Sequence, residues 1–343
     1  MSNKKINTNK IRVGIVGAGL MGKWHARAAE KAGGEIVGVA DIHEAQAVGI
    51  ATNYPQARGF SDVREMLKQE SFDVLHICTP TATHQTIAEL AITAGVNLFI
   101  EKPMTQTAAE TVCLYELAAN HNVRLCPAHQ FAFQQGVEKA KKMLPRIGQT
   151  IHLQANICSA GADGLGIERL DTVGGEILPH PLSLFQTFLN DLLPEDGWEV
   201  FRPRHGEFRI FGQAGETSLS IFVSMNARPT TNSFQIFGTD GTIHLDLFHG
   251  FAVGESGKVS KAGKILRPFD SAVKNFSAAT MNLTQRAFRS ETAYPGLQRL
   301  VNSFYKSLRE DGEPPITPEQ AINVARVRDF VLYRAMTNQL IKD

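Results

Sequence analysis

A chain of 343 residues exceeds what one hydrophobic core usually serves, so two domains are expected. Hydrophobic residues at 43% and charged residues at 20% fit a globular enzyme. Lys+Arg 35 against Asp+Glu 34 gives no electrostatic draw toward nucleic acid or an anionic membrane, and no run of about eighteen apolar residues is present to span a bilayer.

Met1–Lys10 is polar, lacks an apolar signal segment and reads as a disordered tail. Ile11–Val16 reads as a short buried strand. It runs into Gly17-Ala18-Gly19-Leu20-Met21-Gly22, and a helix follows to about Lys31. Each glycine of this Gly-x-Gly-x-x-Gly has a steric reason: Gly17 for the tight turn, Gly19 for close approach of a pyrophosphate, Gly22 for helix–strand packing. The backbone at Leu20 and Met21 then offers the positive end of a helix to phosphates. Glu35–Ala40 is the second strand, closed by Asp41 about twenty residues past the last glycine, where a carboxylate accepts both hydroxyls of an adenosine ribose. NAD is therefore the expected cofactor. Asp41 repels a 2′-phosphate, and Ile42, His43 and Glu44 supply no Arg or Lys to hold one.

Helices are predicted around Glu44–Ala51 and from Ser61-Asp62 to about Gln69. Phe72–Cys78 is a buried strand ending in Thr79-Pro80-Thr81-Ala82-Thr83-His84. A helix over about Thr83–Ala94, a strand Val96–Ile100 ending in Glu101-Lys102-Pro103, a helix Ala108–Asn120 and a strand Val123–Cys126 complete the unit. This alternation predicts a doubly wound parallel sheet with helices on both faces. The four cysteines, Cys78, Cys113, Cys126 and Cys158, form no CxxC pair. Reduced core thiols, a cytoplasmic location and no metal site are expected.

After about Ala128 the pattern changes. Gly148–Ile157, Phe208–Phe211, Ser218–Asn226 and Ser233–Leu247 read as strands, with a hairpin signal at Thr239-Asp240-Gly241. Strands without crossover helices predict an open, mostly antiparallel sheet. Gly250–Asp270 reads as a loop, Pro295–Arg309 as a helix, and Thr317-Pro318-Glu319 as the cap of a last helix to about Asn338. The division expected is a Rossmann domain over 1–128 and an α+β domain over 129–343, the last helix packing back on the first domain. A sheet with one uncovered face also predicts a symmetric homodimer or homotetramer, with Phe234, Ile236 and Phe237 among the candidates for the contact.

Together these segments resemble the Gfo/Idh/MocA family of oxidoreductases, named for glucose-fructose oxidoreductase and inositol dehydrogenase. The glycine turn, Thr79-Pro80-x-x-x-His84, Ala94-Gly95, Glu101-Lys102-Pro103 and Phe237–Thr242 carry the resemblance. It implies hydride transfer between NAD and a carbinol carbon of a sugar, cyclitol or nucleotide sugar. By motif match it implies Lys102 beside the nicotinamide, Glu101 on the nicotinamide ribose, and Thr79, Pro80 and His84 lining the cofactor crevice.

The family's second-domain segment, Gly-Gly-x-x-x-x-Asp-x-Gly-x-His, reads here Gly174-Gly175-Glu176-Ile177-Leu178-Pro179-His180-Pro181-Leu182-Ser183-Leu184. Ungapped, His180 falls on the family's Asp; with a four-residue deletion it is the catalytic His. Either alignment aims it at the same crevice, since positions four apart share a helical face. Histidine titrates near neutrality, so His180 is the expected base, with Lys102 polarising the substrate oxygen and both converging on the carbinol. The family's Asn-Arg-Arg-Phe is replaced by His129-Gln130-Phe131-Ala132-Phe133, which leaves His129 and Gln130 for sugar hydroxyls. Two other functions fit the same residues: an NAD-using glycoside-cleaving enzyme with no net redox, and a non-catalytic dinucleotide-binding sensor.

Overall fold

The computed structural model describes residues 10–161, 163–164, 166–257, 260–288 and 293–337. The expected tail over Met1–Asn9 and the end of the last helix at Asn338 lie outside these residues. The chain forms two units, one of residues 1–129 and 297–325, the other of 130–296 and 326–343. The second part of the chain therefore does not run unbroken to the C-terminus: Leu297–Ala325 belongs to the first unit.

The first unit is built on β1 (Ile11–Val16), α1 (Leu20–Lys31), β2 (Gly34–Ala40), α2 (Glu44–Ala51), β3 (Arg58–Phe60), α3 (Val63–Gln69), β4 (Val74–Ile77), α4 (His84–Thr93), β5 (Asn97–Ile100), α5 (Ala108–His121) and β6 (Leu125–Pro127). All six strands are parallel, in the order β3-β2-β1-β4-β5-β6. Continuous apolar runs make this possible, because helices cover both faces and the central strands are buried over most of their length, β4 wholly. The strand order reverses at β1, which opens a crevice at the carboxyl ends. Register brings these ends level. Val16 pairs with both Ala40 and Ile77, Ile77 with Ile100, and Ile100 with Pro127. Gly17, Asp41, Cys78, Glu101 and Ala128 thus leave the sheet side by side. Cys126 is buried as expected, but Cys113 on α5 is exposed rather than a core thiol.

The second unit contains α6 (Gln135–Met143), β7 (Thr150–Cys158), α7 (Ile167–Ile177), α8 (Pro179–Leu189), β8 (Glu199–Phe201), β9 (Glu207–Ala214), β10 (Thr217–Ser224), β11 (Thr231–Gly238), β12 (Gly241–Asp246), β13 (Phe251–Ser256) and α9 (Lys261–Phe288). α10 (Leu297–Arg309) lies in the first unit, and α11 (Pro318–Thr337) straddles the division. The seven strands run β13-β12-β11-β7-β10-β9-β8, antiparallel except where β10 lies parallel to β7. Period-two burial sends Leu153, Ile221, Phe234, Ile236, Ile243 and their neighbours to one face. α8 covers that face, with Phe185 and Phe188 against Phe234.

Two expectations are corrected here. Phe234 and Ile236 are fully buried, so they offer nothing to a partner; the other face of β7, β10 and β11 presents His152, Gln154, Asn156, Ser218, Ser220, Gln235 and the single larger apolar pair Phe222 and Phe237. Most of Gly250–Asp270, read as a loop, is regular structure: Phe251–Ser256 is β13, and Lys261 onward is the first turns of α9. Gly263 and Pro268 near the start of α9 mask a helical periodicity that becomes regular only beyond Leu266.

Candidate functional site

The glycine turn has the geometry its spacing predicts. Gly17 has φ +95°, and a Cβ there would lie 2.7 Å from the Cys78 carbonyl carbon. A Cβ on Gly22 would lie 1.9 Å from the Gly17 oxygen, so only glycine lets α1 start this close to β1. Around Gly19 a Cβ would meet nothing within 4 Å, which leaves the backbone open to a phosphate. Asp41 braces the turn: its Oδ2 accepts the Ala18 N–H at 2.7 Å and its Oδ1 the His43 N–H at 2.8 Å. Exposed Leu20 and half-buried Met21 begin α1.

At the end of β4, half-buried Thr79 and exposed Pro80 lead into α4. His84, expected on the crevice, is 1% exposed and lies behind it instead. Its Nε2 is 2.7 Å from the Thr79 oxygen and its Nδ1 3.1 Å from the Pro103 oxygen. One imidazole thus sits between the Thr-Pro turn and the Glu-Lys-Pro turn, whose Lys102–Pro103 peptide is cis, a neutral ring donating to one of the two carbonyls. That gives His84 a positioning role, which the motif spacing alone does not reveal.

Glu101 is buried with both oxygens engaged: Oε1 lies 2.8 Å from His25 Nε2, and Oε2 accepts the Lys102 N–H at 3.0 Å. Burial pushes its carboxyl up, but the His25 hydrogen bond, with the charge and the backbone N–H of Lys102, outweighs this and holds it below its ordinary value. Behind it runs a chain missed by the sequence reading. His25 Nδ1 is 3.0 Å from His76 Nδ1, and His76 Nε2 is 2.8 Å from the Tyr305 hydroxyl. The neutral tautomers satisfy every link: Tyr305 donates to His76, His76 to His25, and His25 to the Glu101 carboxylate. Burial, then His25, pushes the His76 pKa well down. No short motif shows this chain, because Tyr305 comes from α10, far along the sequence. The one visible signal is a histidine inside the otherwise apolar strand Val74–Ile77.

His129 closes the first unit. Burial lowers its pKa to about 4, with Glu101 pulling it up and Lys102 down, so the ring is neutral at neutral pH beside a half-buried lysine. Its Nδ1 is buried with no hydrogen-bond partner among the described residues.

In the second unit, Gly174 and Gly175 close α7, where a Cβ would strike Phe208 or Leu332, and His180 sits in the first turn of α8. Its ring stacks on Phe131, centroids 3.9 Å apart and planes 6° from parallel. Gln130, in the short turn before Phe131, is buried with its Oε1 unpartnered among the described residues. Phe131 is thus the support for His180 rather than generic core. Among the described residues no group of three His, Cys, Asp or Glu is placed to hold a metal, and no helix is long and apolar enough to cross a membrane.

Comparison with known proteins places this arrangement in context. Residues 11–129 match the family described as "Oxidoreductase family, NAD-binding Rossmann fold". The UDP-N-acetylglucosamine 3-dehydrogenase of Acidithiobacillus ferrooxidans is 34% identical over 134 residues, 37% of this chain and 42% of that protein. The inositol 2-dehydrogenase of Acidothermus cellulolyticus is 30% identical over 116 residues, 33% of this chain and 34% of that protein. The chain thus spans less than half the length of either relative in these matches. Among solved structures, the WlbA dehydrogenase of Bordetella pertussis, in complex with NADH and UDP-GlcNAcA, superposes with TM-score 0.75 at 18% identity, over 96% of this chain and 97% of that one. At that identity the likeness is one of fold, and it extends through both units.

Proposed function

We propose that this chain, whose residues 11–129 match the NAD-binding Rossmann fold of an oxidoreductase family, is a Gfo/Idh/MocA oxidoreductase: an NAD-dependent dehydrogenase acting on a carbinol of a sugar, cyclitol or nucleotide sugar. One observation carries the reading. The glycine turn, Asp41, Thr79 and Glu101-Lys102 leave four neighbouring parallel strands at one level, on the side where a doubly wound sheet keeps its ligand crevice.

In this reading the open backbone at Gly19, with the start of α1 at Leu20 and Met21, takes the pyrophosphate, and Asp41 takes the adenosine ribose and disfavours a 2′-phosphate. Bound NAD supplies the hydride acceptor. Lys102 holds the substrate oxygen and stabilises the charge that grows there, a preorganised electrostatic role. Glu101, fixed from behind by His25, anchors the backbone from which Lys102 projects and meets the nicotinamide ribose. His180, kept in orientation by Phe131, exchanges the hydroxyl proton. His129 and Gln130 bring buried polar atoms suited to sugar hydroxyls. We assign the protein to the cytoplasm, as a homodimer or homotetramer.

The test is reduction of NAD by the purified protein with myo-inositol, UDP-N-acetylglucosamine and simple sugars. Reduced nicotinamide rising in step with a ketone supports the reading. Glycoside cleavage with no net reduction, or dinucleotide binding with no turnover, overturns it.

A further inference from the structure

α9 is turned inside out. Its side toward its own unit is polar or small: Arg267 and Ser271 reach Glu255, Asn282 donates to the His249 carbonyl at 2.9 Å, and Gln285 accepts from Gln135 at 2.6 Å. Its large apolar side chains point the other way. Leu266, Phe269, Val273, Phe276 and Leu283 are each between 60% and 74% exposed. A helix normally buries that face against its own domain.

The spacing says what covers it. Leu266, Phe269, Val273, Phe276, Thr280 and Leu283 fall alternately three and four residues apart, the a and d positions of a heptad repeat held over nearly the whole helix. Five large apolar side chains on this stripe, with Ile265 beside it and Met281 and Phe288 off it, make the seam of a helix pair the best match, and a membrane surface is the alternative that the experiment below separates. The positions beside the centre of the seam are Ala272, Ser277, Ala279 and Thr284, so two such helices approach without like charges meeting. The exposed area agrees. The five apolar side chains of the seam with Ile265, 77% exposed, present about 700 Å² per copy, above the usual patch of a monomer and close to the roughly 800 Å² each partner gives a standard interface.

We infer that α9 pairs with the α9 of a second copy of this chain about a two-fold axis. This assigns a self-contact to a helix, independent of any contact made by the open face of the sheet, and it does not depend on the reaction proposed above.

The experiment is sedimentation velocity of the full chain at micromolar concentration, wild type against Phe269→Lys/Phe276→Lys and, separately, Val273→Lys. Circular dichroism melts and NAD titration run in parallel. The expected result is an assembled wild type and a fall of one assembly step in both variants, with melts and NAD affinity unchanged, since the replaced side chains are exposed in the single chain. A monomeric wild type overturns the inference. So does an assembly state that neither variant alters, which moves the contact to another surface. Wild type that floats with phosphatidylcholine–phosphatidylserine vesicles, and loses this in the variants, overturns it in favour of a membrane surface. Loss of NAD turnover with assembly intact strikes the catalytic reading alone.

Discussion

Gly19 and Gly22 lie three residues apart, and the same substitution has opposite consequences at the two sites. At Gly22 the added Cβ lands 1.9 Å from the Gly17 oxygen. That oxygen has no room to retreat: the Gly17 N–H is bonded to Ala40 O at 2.8 Å, and Gly17 itself is wedged against the Cys78 carbonyl. Gly22→Ala must therefore move α1, at a cost in the overpacking range of about 1–3 kcal/mol or more. At Gly19 the methyl meets no heavy atom within 4 Å, and φ −72°, ψ −161° suits any residue. Loss of the glycine N-cap and gain from a stiffer unfolded chain nearly cancel, each about 0.5–1 kcal/mol. The methyl does, however, occupy the space a pyrophosphate needs, so Gly19→Ala should weaken NAD at least about tenfold, or ~1.4 kcal/mol. Thermal denaturation without ligand and calorimetric titration with NAD separate the effects. Wild-type NAD affinity in Gly19→Ala, or an unchanged melt in Gly22→Ala, refutes the reasoning.

Removing His25 leaves one oxygen of the buried Glu101 carboxylate unpaired, so His25→Leu should cost about 1–3 kcal/mol or more, read by chemical denaturation; an unchanged midpoint contradicts the pairing. His129 titrates at about 4 when folded and about 6.5 when unfolded, so in that window the unfolded chain binds the extra proton and stability falls as pH falls, by up to about 3 kcal/mol. His129→Gln should flatten that slope in denaturation curves taken across the window, and a slope identical to wild type rejects the assignment. Asp41→Ser should shift the NAD to NADP affinity ratio toward NADP by about tenfold or more, and tighter NADP binding by the wild type contradicts the role given to Asp41. His180→Ala should lower kcat by about 10²–10⁴ with NAD affinity nearly intact, and Lys102→Ala should lower kcat and weaken substrate as well; full activity in either ends its catalytic assignment.

The glycine turn, Asp41 and the strand ends were legible because each follows from local sterics: a residue type is demanded by backbone geometry a few positions away. Five of the six parallel strands were legible for the same reason, their apolar runs and crossover helices being contiguous in sequence, whereas the edge strand β3, three residues long, shows no pattern. The His25–His76–Tyr305 chain was not, because its parts come from α1, β4 and α10 and only tertiary folding brings them together. His84 shows the limit of a motif: its spacing marks it as important, yet its buried ring sits between two turns. α6 and α7 were not legible because they are short, α6 with Gly136 in its first turn and α7 with Gly174 and Gly175 near its end, and lack long periodicity. α9 escaped because its periodicity belongs to a seam facing away from its own core, so its apolar positions had no internal partner to predict. The same physics explains the misreading of Phe234 and Ile236: period two says that a strand has two faces, not which one α8 will cover.

Hydride transfer itself gives the most direct measurement of the central claim. With whichever polyol or sugar reduces NAD, the substrate is labelled with deuterium at the reacting carbinol carbon and the nicotinamide recovered for mass spectrometry. The account predicts one deuterium delivered as deuteride to the nicotinamide ring, one ketone formed per reduced cofactor, and loss of both in Lys102→Ala. Unlabelled reduced cofactor, or substrate altered while the nicotinamide returns oxidised, contradicts it.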